Sequence, residues 1–339
     1  MKPIRTALIG LGRIAWMLEQ DTLRYHPCTH AGTLRKLKKQ YDLVGAADRN
    51  PERIRAFEKW WKAPLIHSKD SKHMLDACKP ELIIIAASVS SHMDLFRQAI
   101  AAKPAGIVLE KPPTEDYEST RSMLRLARNI PVWVNYERRY HPNYKHVKEL
   151  IASGSLGEIR SIRGQVLVGH SPGAGEAGPL LHDASHWVDL LLWFVGPPKS
   201  VSARLLAEKG RPEHTAFVQF HYPAFGASLE SGGRRKYFEF EMQIDFSEGR
   251  VLCGNKGLQV FQSTPSRKYQ GFLELIEKRL KLSWSNPWIG LYHDVYDVMR
   301  NSHKSPAASL GSAAEGMKWI DRIWKASKRS DRVRRIQRP

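Results

Sequence analysis

Three clusters in this chain combine residue types and spacings that can do chemistry. Glu110-Lys111-Pro112-Pro113 follows an apolar run, Ala105 to Leu109, so a lysine stands where a buried strand should end. Pro112 biases Lys111 to an extended backbone. An ammonium there can hold negative charge developing on an oxygen; a solvated strand end with a proline stop is the plainer reading. The second cluster is His182-Asp183-Ala184-Ser185-His186-Trp187-Val188-Asp189, running into the apolar Leu190 to Val195. As one helix it would set His182, His186 and Asp189 on one face, with Asp183 beside it. Histidine titrates near neutrality and suits acid/base work; capping residues within a polar cluster are the alternative. The third cluster is Gly10-Leu11-Gly12-Arg13-Ile14-Ala15, directly after the apolar Ile4 to Ile9. In this G-x-G-x-x-A, Gly10 permits a tight turn and Gly12 lets backbone N–H groups approach a pyrophosphate. The small Ala15 lets the following helix pack on the strand.

The elements around these clusters form a consistent frame. A second strand, Asp42 to Ala47, ends in Asp48, whose carboxylate is placed for the ribose hydroxyls of NAD. Arg49 follows and suits the 2′-phosphate of NADP. A carboxylate repels a phosphate there, so NAD is favoured and NADP is possible. The gap from Gly12 to Asp48 exceeds the usual roughly 20 residues. The excess lies at Glu19 to His30, a polar insertion that reads either as a lid or substrate loop or as an elaborated surface loop. Pro51 to Trp61, Ser68 to Ala77 and Ser91 to Ala101 read as helices; Leu65 to His67, Leu82 to Ala87, Ala105 to Leu109 and Pro131 to Val134 read as strands. Thr114 is a candidate N-cap for the next helix. This alternation gives a doubly wound parallel sheet. Its strand ends should bring Ser88, Ser90, His92, Glu110 and Lys111 to the cofactor crevice.

Past Asn135 the pattern changes. Asn143 to Ser153 reads as a helix, and Ile159 to Val168, Val201 to Leu205, Ala216 to Tyr222, Tyr237 to Phe246 and Leu258 to Phe261 as strands of a mainly antiparallel, open-faced sheet. Gly169 to Gly178 reads as a mobile loop. Two domains follow: a Rossmann dinucleotide-binding domain over 1–136 and a substrate domain over 137–339, whose C-terminal helix is expected to pack back on the first.

Bulk composition narrows the classes. The 339 residues are 42% hydrophobic and 26% charged, as in globular proteins with full cores. The three cysteines, Cys28, Cys78 and Cys253, have no zinc spacing and no even pairing, which favours a reducing cytoplasm and no metal. Lys2 and Arg5 before an apolar stretch faintly resemble a signal peptide, but Arg13 breaks it. No apolar run is long enough for an integral membrane segment. The net charge of +19 favours anionic partners. Scattered basic residues without a recognisable binding signature argue against nucleic acid. The basic tail, Lys325 to Arg338, reads as a solvated end or a weak anchor to an anionic surface.

Taken together, these motifs resemble the Gfo/Idh/MocA family of NAD(P)-dependent sugar and inositol oxidoreductases. The matching residues are Gly10-x-Gly12-x-x-Ala15, Asp48-Arg49, Glu110-Lys111-Pro112, Asn135-x-x-Arg138-Arg139 with Pro142, Leu156-Gly157 and His186-x-x-Asp189. The resemblance implies a Rossmann domain joined to an open-faced sheet domain that serves in homo-oligomers. It also implies that Lys111 and His186 act beside the nicotinamide. Many members carry an aspartate four residues before that histidine; here the place holds His182, so either His182 or Asp183 completes the group. The expected activity is a dehydrogenase or reductase of CH–OH groups. Its substrate would be a sugar, a phosphorylated or nucleotide-linked derivative, or a cyclitol. His186 would be the acid/base and Lys111 would orient the reacting oxygen. Arg138, Arg139, Tyr140, His170 and Asp189 are candidate substrate contacts. A catalytically inactive NAD(P)-binding sensor or interaction protein is the competing reading, and reduction of an imine on the same fold is a third.

Overall fold

The computed structural model describes residues 2–169, 177–301 and 303–336, with side chains as far as Lys328. The chain forms two compact units, Met1–His141 with Ser285–Glu315 and Pro142–Trp284 with Gly316–Pro339.

The first unit alternates β1 (Ile4–Ile9), α1 (His30–Lys36), β2 (Tyr41–Ala47), α2 (Pro51–Trp61), β3 (Ile66–Ser68), α3 (Ser71–Cys78), β4 (Leu82–Ile85), α4 (Val89–Ala101), β5 (Gly106–Leu109), α5 (Tyr117–Ala127) and β6 (Val132–Val134). The six strands are parallel, in the order β3-β2-β1-β4-β5-β6. Every residue of β4, β5 and β6 is buried, as a parallel sheet covered on both faces requires. Strand order reverses between β1 and β4, so a crevice opens at their carboxyl ends.

Two local expectations are corrected. The segment after Gly12 is not a regular helix: turns lead to a short 3₁₀ stretch, Met17–Gln20, and α1 begins only at His30. The buried Trp16 indole donates to Leu11 O at 3.0 Å, and the Ile14 and Ala15 carbonyls accept from His30 and Ala31 of α1. The Glu19–His30 insertion thus interrupts what would be one helix. Asp116, not Thr114, caps α5, accepting from the Ser119 backbone N–H at 2.8 Å; the Thr114 hydroxyl donates to Asp116 O instead.

The second unit holds α6 (Pro142–Ser153), β7 (Ile159–Leu167), α7 (Pro179–His182), α8 (Ser185–Val195), β8 (Ser200–Ala207), β9 (Glu213–His221), β10 (Gly226–Gly232), β11 (Glu239–Phe246), β12 (Gly249–Gly254), β13 (Gly257–Pro265) and β14 (Leu273–Lys278). Its eight strands run β14-β13-β12-β11-β7-β10-β9-β8, antiparallel except for β7 with β10. Alternation buries Phe240, Met242, Ile244 and Phe246 on one face of β11. The other face is open, with a depression of about 610 Å³ lined by Arg163, Gln165, Gln219 and Gln243 among others. The chain then returns: α9 (Pro287–Arg300) folds with the first unit, and α10 (Leu310–Ile336) contributes residues to both. No described helix is long and apolar enough to cross a membrane.

Candidate active site

The glycine turn after β1 is shaped by two different constraints. Gly10 has φ +88°, and a Cβ there would lie 2.6 Å from Ala86 O, so the close approach of β1 to the end of β4 demands glycine. At Gly12 a Cβ would meet only Arg53 Nη1 at 3.8 Å; its outer side is open. It opens on a cavity of about 990 Å³ at the carboxyl ends of β1, β2 and β4. Gly10, Gly12, Arg13, Ile14, Asp48, Arg49 and Ser88 line it, together with Arg53, Lys69, Asp70, Ser91 and Asp94. The open cradle at Gly12, the four cationic side chains and the volume fit a dinucleotide. Asp48 uses its carboxylate on the backbone, accepting from Leu11 N at 2.7 Å and Asn50 N at 2.8 Å.

Four of the residues expected at the cofactor do not line this cavity: Ala15, His92, Glu110 and Lys111. Ala15 is fully buried beneath the turn. His92 is buried too, its Nδ1 against the Pro112 and Pro113 carbonyls at 3.2 and 3.1 Å and its Nε2 against Ala87 O at 3.1 Å. It braces the loop after β5 against the end of β4.

Glu110 and Lys111 close β5. Glu110 is 6% exposed. Its Oε1 accepts from His30 Nε2 at 2.9 Å and from Asn135 Nδ2 at 2.5 Å, and its Oε2 accepts from the backbone N–H of Lys111 at 3.2 Å. Burial pushes this carboxyl up, but the His30 and Asn135 hydrogen bonds and the Lys111 charge outweigh it and hold it below its ordinary value. Glu110 is therefore an anion that fixes the peptide carrying Lys111. Beyond β6, burial pushes the Glu137 carboxyl up, against the pull of Arg138 and Lys111. Lys111 thus shares its surroundings with one carboxyl held below its ordinary value and one pushed above it. Burial and Arg138 together push His141 down to about 4. Neither His30 nor Glu137 stands out in the sequence; only their neighbours Thr29 and Arg138 carry recognisable signals.

Tyr140 is a core residue rather than a substrate contact. It is 3% exposed, and its hydroxyl donates to Asp294 Oδ2 at 2.8 Å, an oxygen that also accepts from Trp133 Nε1 and Ala307 N. Arg139 is buried and donates to Ala307 O at 2.9 Å. Arg138 stays half-buried on the 3₁₀ turn Glu137–Tyr140. His170 lies outside the described residues.

Glu19, His26 and Cys28 have ligand-type atoms within 4.8 Å of one another. Hydrogen bonds already occupy them: Glu19 Oε2 accepts from Cys28 N and from Thr29 Oγ1 at 2.7 Å, and His26 bridges Glu19 Oε1 and Asp21 O. Burial first and Glu19 second push the Cys28 thiol up to about 11, so it is protonated at neutral pH. Through Glu19 the cluster holds Thr29, the N-cap of α1, whose hydroxyl accepts from Gly32 N.

In the second unit the expected single helix over His182 to Asp189 is broken. The chain ends α7 at His182 and restarts at Ser185, with Asp183 and Ala184 in between. Pro179 opens α7, and the buried Glu213 on β9 accepts from Leu180 N at 3.2 Å. His182 is exposed, its Nδ1 3.0 Å from Asp183 Oδ1. His186 is half-buried on the first turn of α8, and Asp189 is buried on the second. Trp187, beside His186, packs on β7 where Gly164 leaves it room: a Cβ there would sit 1.9 Å from Trp187 Nε1. That nitrogen donates to Glu241 O at 3.1 Å.

Comparison with known proteins agrees with this architecture. Residues 4–136 match the oxidoreductase family with an NAD-binding Rossmann fold, and residues 144–252 match the GFO/IDH/MocA C-terminal domain. The uncharacterised oxidoreductase sll0816 of Synechocystis sp. is 33% identical over 151 residues, covering 39% of this chain and 40% of that protein. The scyllo-inositol 2-dehydrogenase (NADP⁺) IolW of Bacillus subtilis is 26% identical over 285 residues, 75% of this chain and 78% of its own length. In fold the chain resembles the WlbA dehydrogenase of Bordetella pertussis, solved with NADH and UDP-GlcNAcA. The TM-score is 0.77 at 20% identity, over 97% of both chains.

Proposed function

The chain belongs to the Gfo/Idh/MocA family of NAD-binding oxidoreductases, and on that premise we propose that it moves a hydride between a nicotinamide cofactor and a carbinol or carbonyl carbon. The substrate class is a sugar, a phosphorylated or nucleotide-linked sugar, or a cyclitol. The observation that carries this reading is the buried Glu110 carboxylate holding the Lys111 peptide at the end of β5. When bound, NAD or NADP supplies the hydride acceptor. The glycine turn and the cationic rim of the cavity hold the dinucleotide phosphates. Lys111 stabilises the alkoxide that forms as the hydroxyl proton leaves, and His186 takes that proton, with His182 or Asp183 tuning it. Arg138, half-buried, is the proposed substrate contact; Asp189, as buried as Tyr140, is not. The net charge of +19 favours an anionic substrate, and relatives named for inositol and nucleotide-sugar chemistry support the class. We place the protein in the cytoplasm, in keeping with three widely spaced cysteines of odd number. The open face of the second unit's sheet is the proposed homo-oligomer contact.

The test is nucleotide-dependent turnover across inositols, free sugars, sugar phosphates and nucleotide sugars, with both NAD and NADP. Reduction of the cofactor by one of these classes is expected. Tight NADH binding without turnover on any of them would instead favour a sensor.

A further inference from the structure

His30 is fully buried, and both ring nitrogens are engaged, Nε2 with Glu110 at 2.9 Å and Nδ1 with Tyr292 Oη at 2.7 Å. Its ring stands edge-on to Trp288, with centroids 5.0 Å apart and planes at 85°. Nothing in dinucleotide binding asks for a histidine here, because His30 does not line the cofactor cavity. A carboxylate can only accept, so Nε2 donates to Glu110. The Tyr292 phenol can donate or accept, so Nδ1 keeps its partner whether the ring is neutral or charged. The segments on either side are hydrogen-bonded in place. Thr29 accepts from Gly32 N and donates to Glu19, and Asn286, which caps α9, donates to Pro27 O at 2.9 Å.

We propose that His30 is a positioning residue for Lys111: through Glu110 it fixes the peptide from which the lysine departs, and so ties the Glu19–His30 insertion to the reaction centre. The role rests on Lys111 acting in the reaction proposed above. It gives the insertion a function that neither a lid nor a plain surface loop would have.

The test compares His30→Leu, His30→Gln and Tyr292→Phe in the full chain. Hydrogen exchange of a Leu109–Pro113 fragment reports directly on the link, since Pro112 and Pro113 carry no N–H and Glu110 N is bonded to Ile85 O. His30→Leu should speed exchange at Lys111 by about tenfold or more and lower kcat roughly 10- to 100-fold. NADH affinity and KM should change less than about twofold. His30→Gln, which keeps a donor near the Nε2 position, should recover most of both; Tyr292→Phe should fall between. The kcat effect should vanish in a Lys111→Ala background. Turnover is read with scyllo-inositol and UDP-N-acetylglucosamine. Unchanged exchange at Lys111 in His30→Leu overturns the proposal, as does faster exchange with unchanged kcat. If His30→Leu does not fold, His30→Gln and Tyr292→Phe decide by the same two readouts. If Lys111→Ala itself keeps full turnover, the reaction assigned above fails, while exchange still reports whether His30 holds the Lys111 peptide.

Discussion

Asp48 Oδ2 accepts the backbone N–H of Leu11 at 2.7 Å, so the carboxylate ending β2 also braces the glycine turn after β1. Arg53 Nη1 stands 3.7 Å from the same oxygen. Asp48 therefore shapes the loop and at the same time repels a 2′-phosphate that Arg49, Arg53 and Lys69 would attract. Asp48→Asn keeps an acceptor but removes the charge. The NADP-to-NAD ratio of kcat/KM should rise about tenfold, equivalent to about 1.4 kcal/mol. An unchanged ratio in steady-state assays with both cofactors would show that the cationic side chains alone decide the choice.

The two glycines of the turn should fail in different ways. Gly10→Ala places a methyl against Ala86 O at positive φ and should cost about 2 kcal/mol or more of stability. Gly12→Ala meets almost nothing in the protein, so its melt should stay within about 0.5 kcal/mol of the parent. Its methyl occupies the pyrophosphate approach, and the Kd for NADH should rise at least about tenfold. Denaturant melts and fluorescence titrations separate the two. Equal stability losses would mean that Gly12 is a backbone requirement as well.

Glu137 predicts a pH signature. Its carboxyl is pushed up, first by burial, against the pull of Arg138 and Lys111. A raised acid contributes stability that is fully present below its ordinary 4.5 and is lost as pH climbs through the folded value. Glu137→Gln cannot ionise. It should melt with the parent near pH 4 and above it near pH 8, by about 2–4 °C. Calorimetry at three pH values would show a constant gap if Glu137 stays ionised at little cost.

Gly164 on β7 makes room for Trp187 on α8, the residue next to His186. Gly164→Ala forces the indole away and breaks its hydrogen bond to Glu241 O, which should cost roughly 1–3 kcal/mol and red-shift tryptophan emission. Because β7 and α8 belong to the second unit, NADH affinity should be unchanged while turnover falls. Loss of NADH binding in a folded variant would count against a cofactor site built by the first unit alone.

How far the sequence could be read depends on how local each signal was. β4 is Leu-Ile-Ile-Ile and α2 opens with Asn50-Pro51, so burial and capping show in a few adjacent residues. β10, Gly226–Gly232, has one leucine; it is held by pairing with β7 on one side and β9 on the other, which no periodicity reports. The partners of His30 lie 80 and 262 positions away, so nothing near it marks a buried network. Tyr140 follows two arginines and looked like a binding residue, but the 3₁₀ turn carries its phenol to Asp294, 154 positions on. The break between α7 and α8 was hidden because Asp183 and Ala184 keep near-helical backbone angles. The cofactor turn was legible because glycine needs are local; the setting of Lys111 was not, because it is assembled from α1, β6 and α9.

Lys111 and His186 carry the sharpest test of the proposed chemistry. If Lys111 stabilises an alkoxide that exists only as the reaction proceeds, Lys111→Ala should lower kcat and kcat/KM together, by about 100- to 1,000-fold, and leave NADH affinity alone. Lys111→Arg keeps the charge but not the compact ammonium, and should recover only part of the loss. If His186 is the acid/base, His186→Ala should cost roughly 100- to 10,000-fold and flatten the pH–rate profile near neutrality. His182→Ala and Asp183→Ala then divide the tuning role. The exposed His182 and its Asp183 partner form one pair, so whichever residue acts directly should give the larger loss, and the double variant should lose no more than that residue alone. Near-parental turnover of both Lys111→Ala and His186→Ala, on a substrate that the unchanged chain oxidises, would remove the assignment.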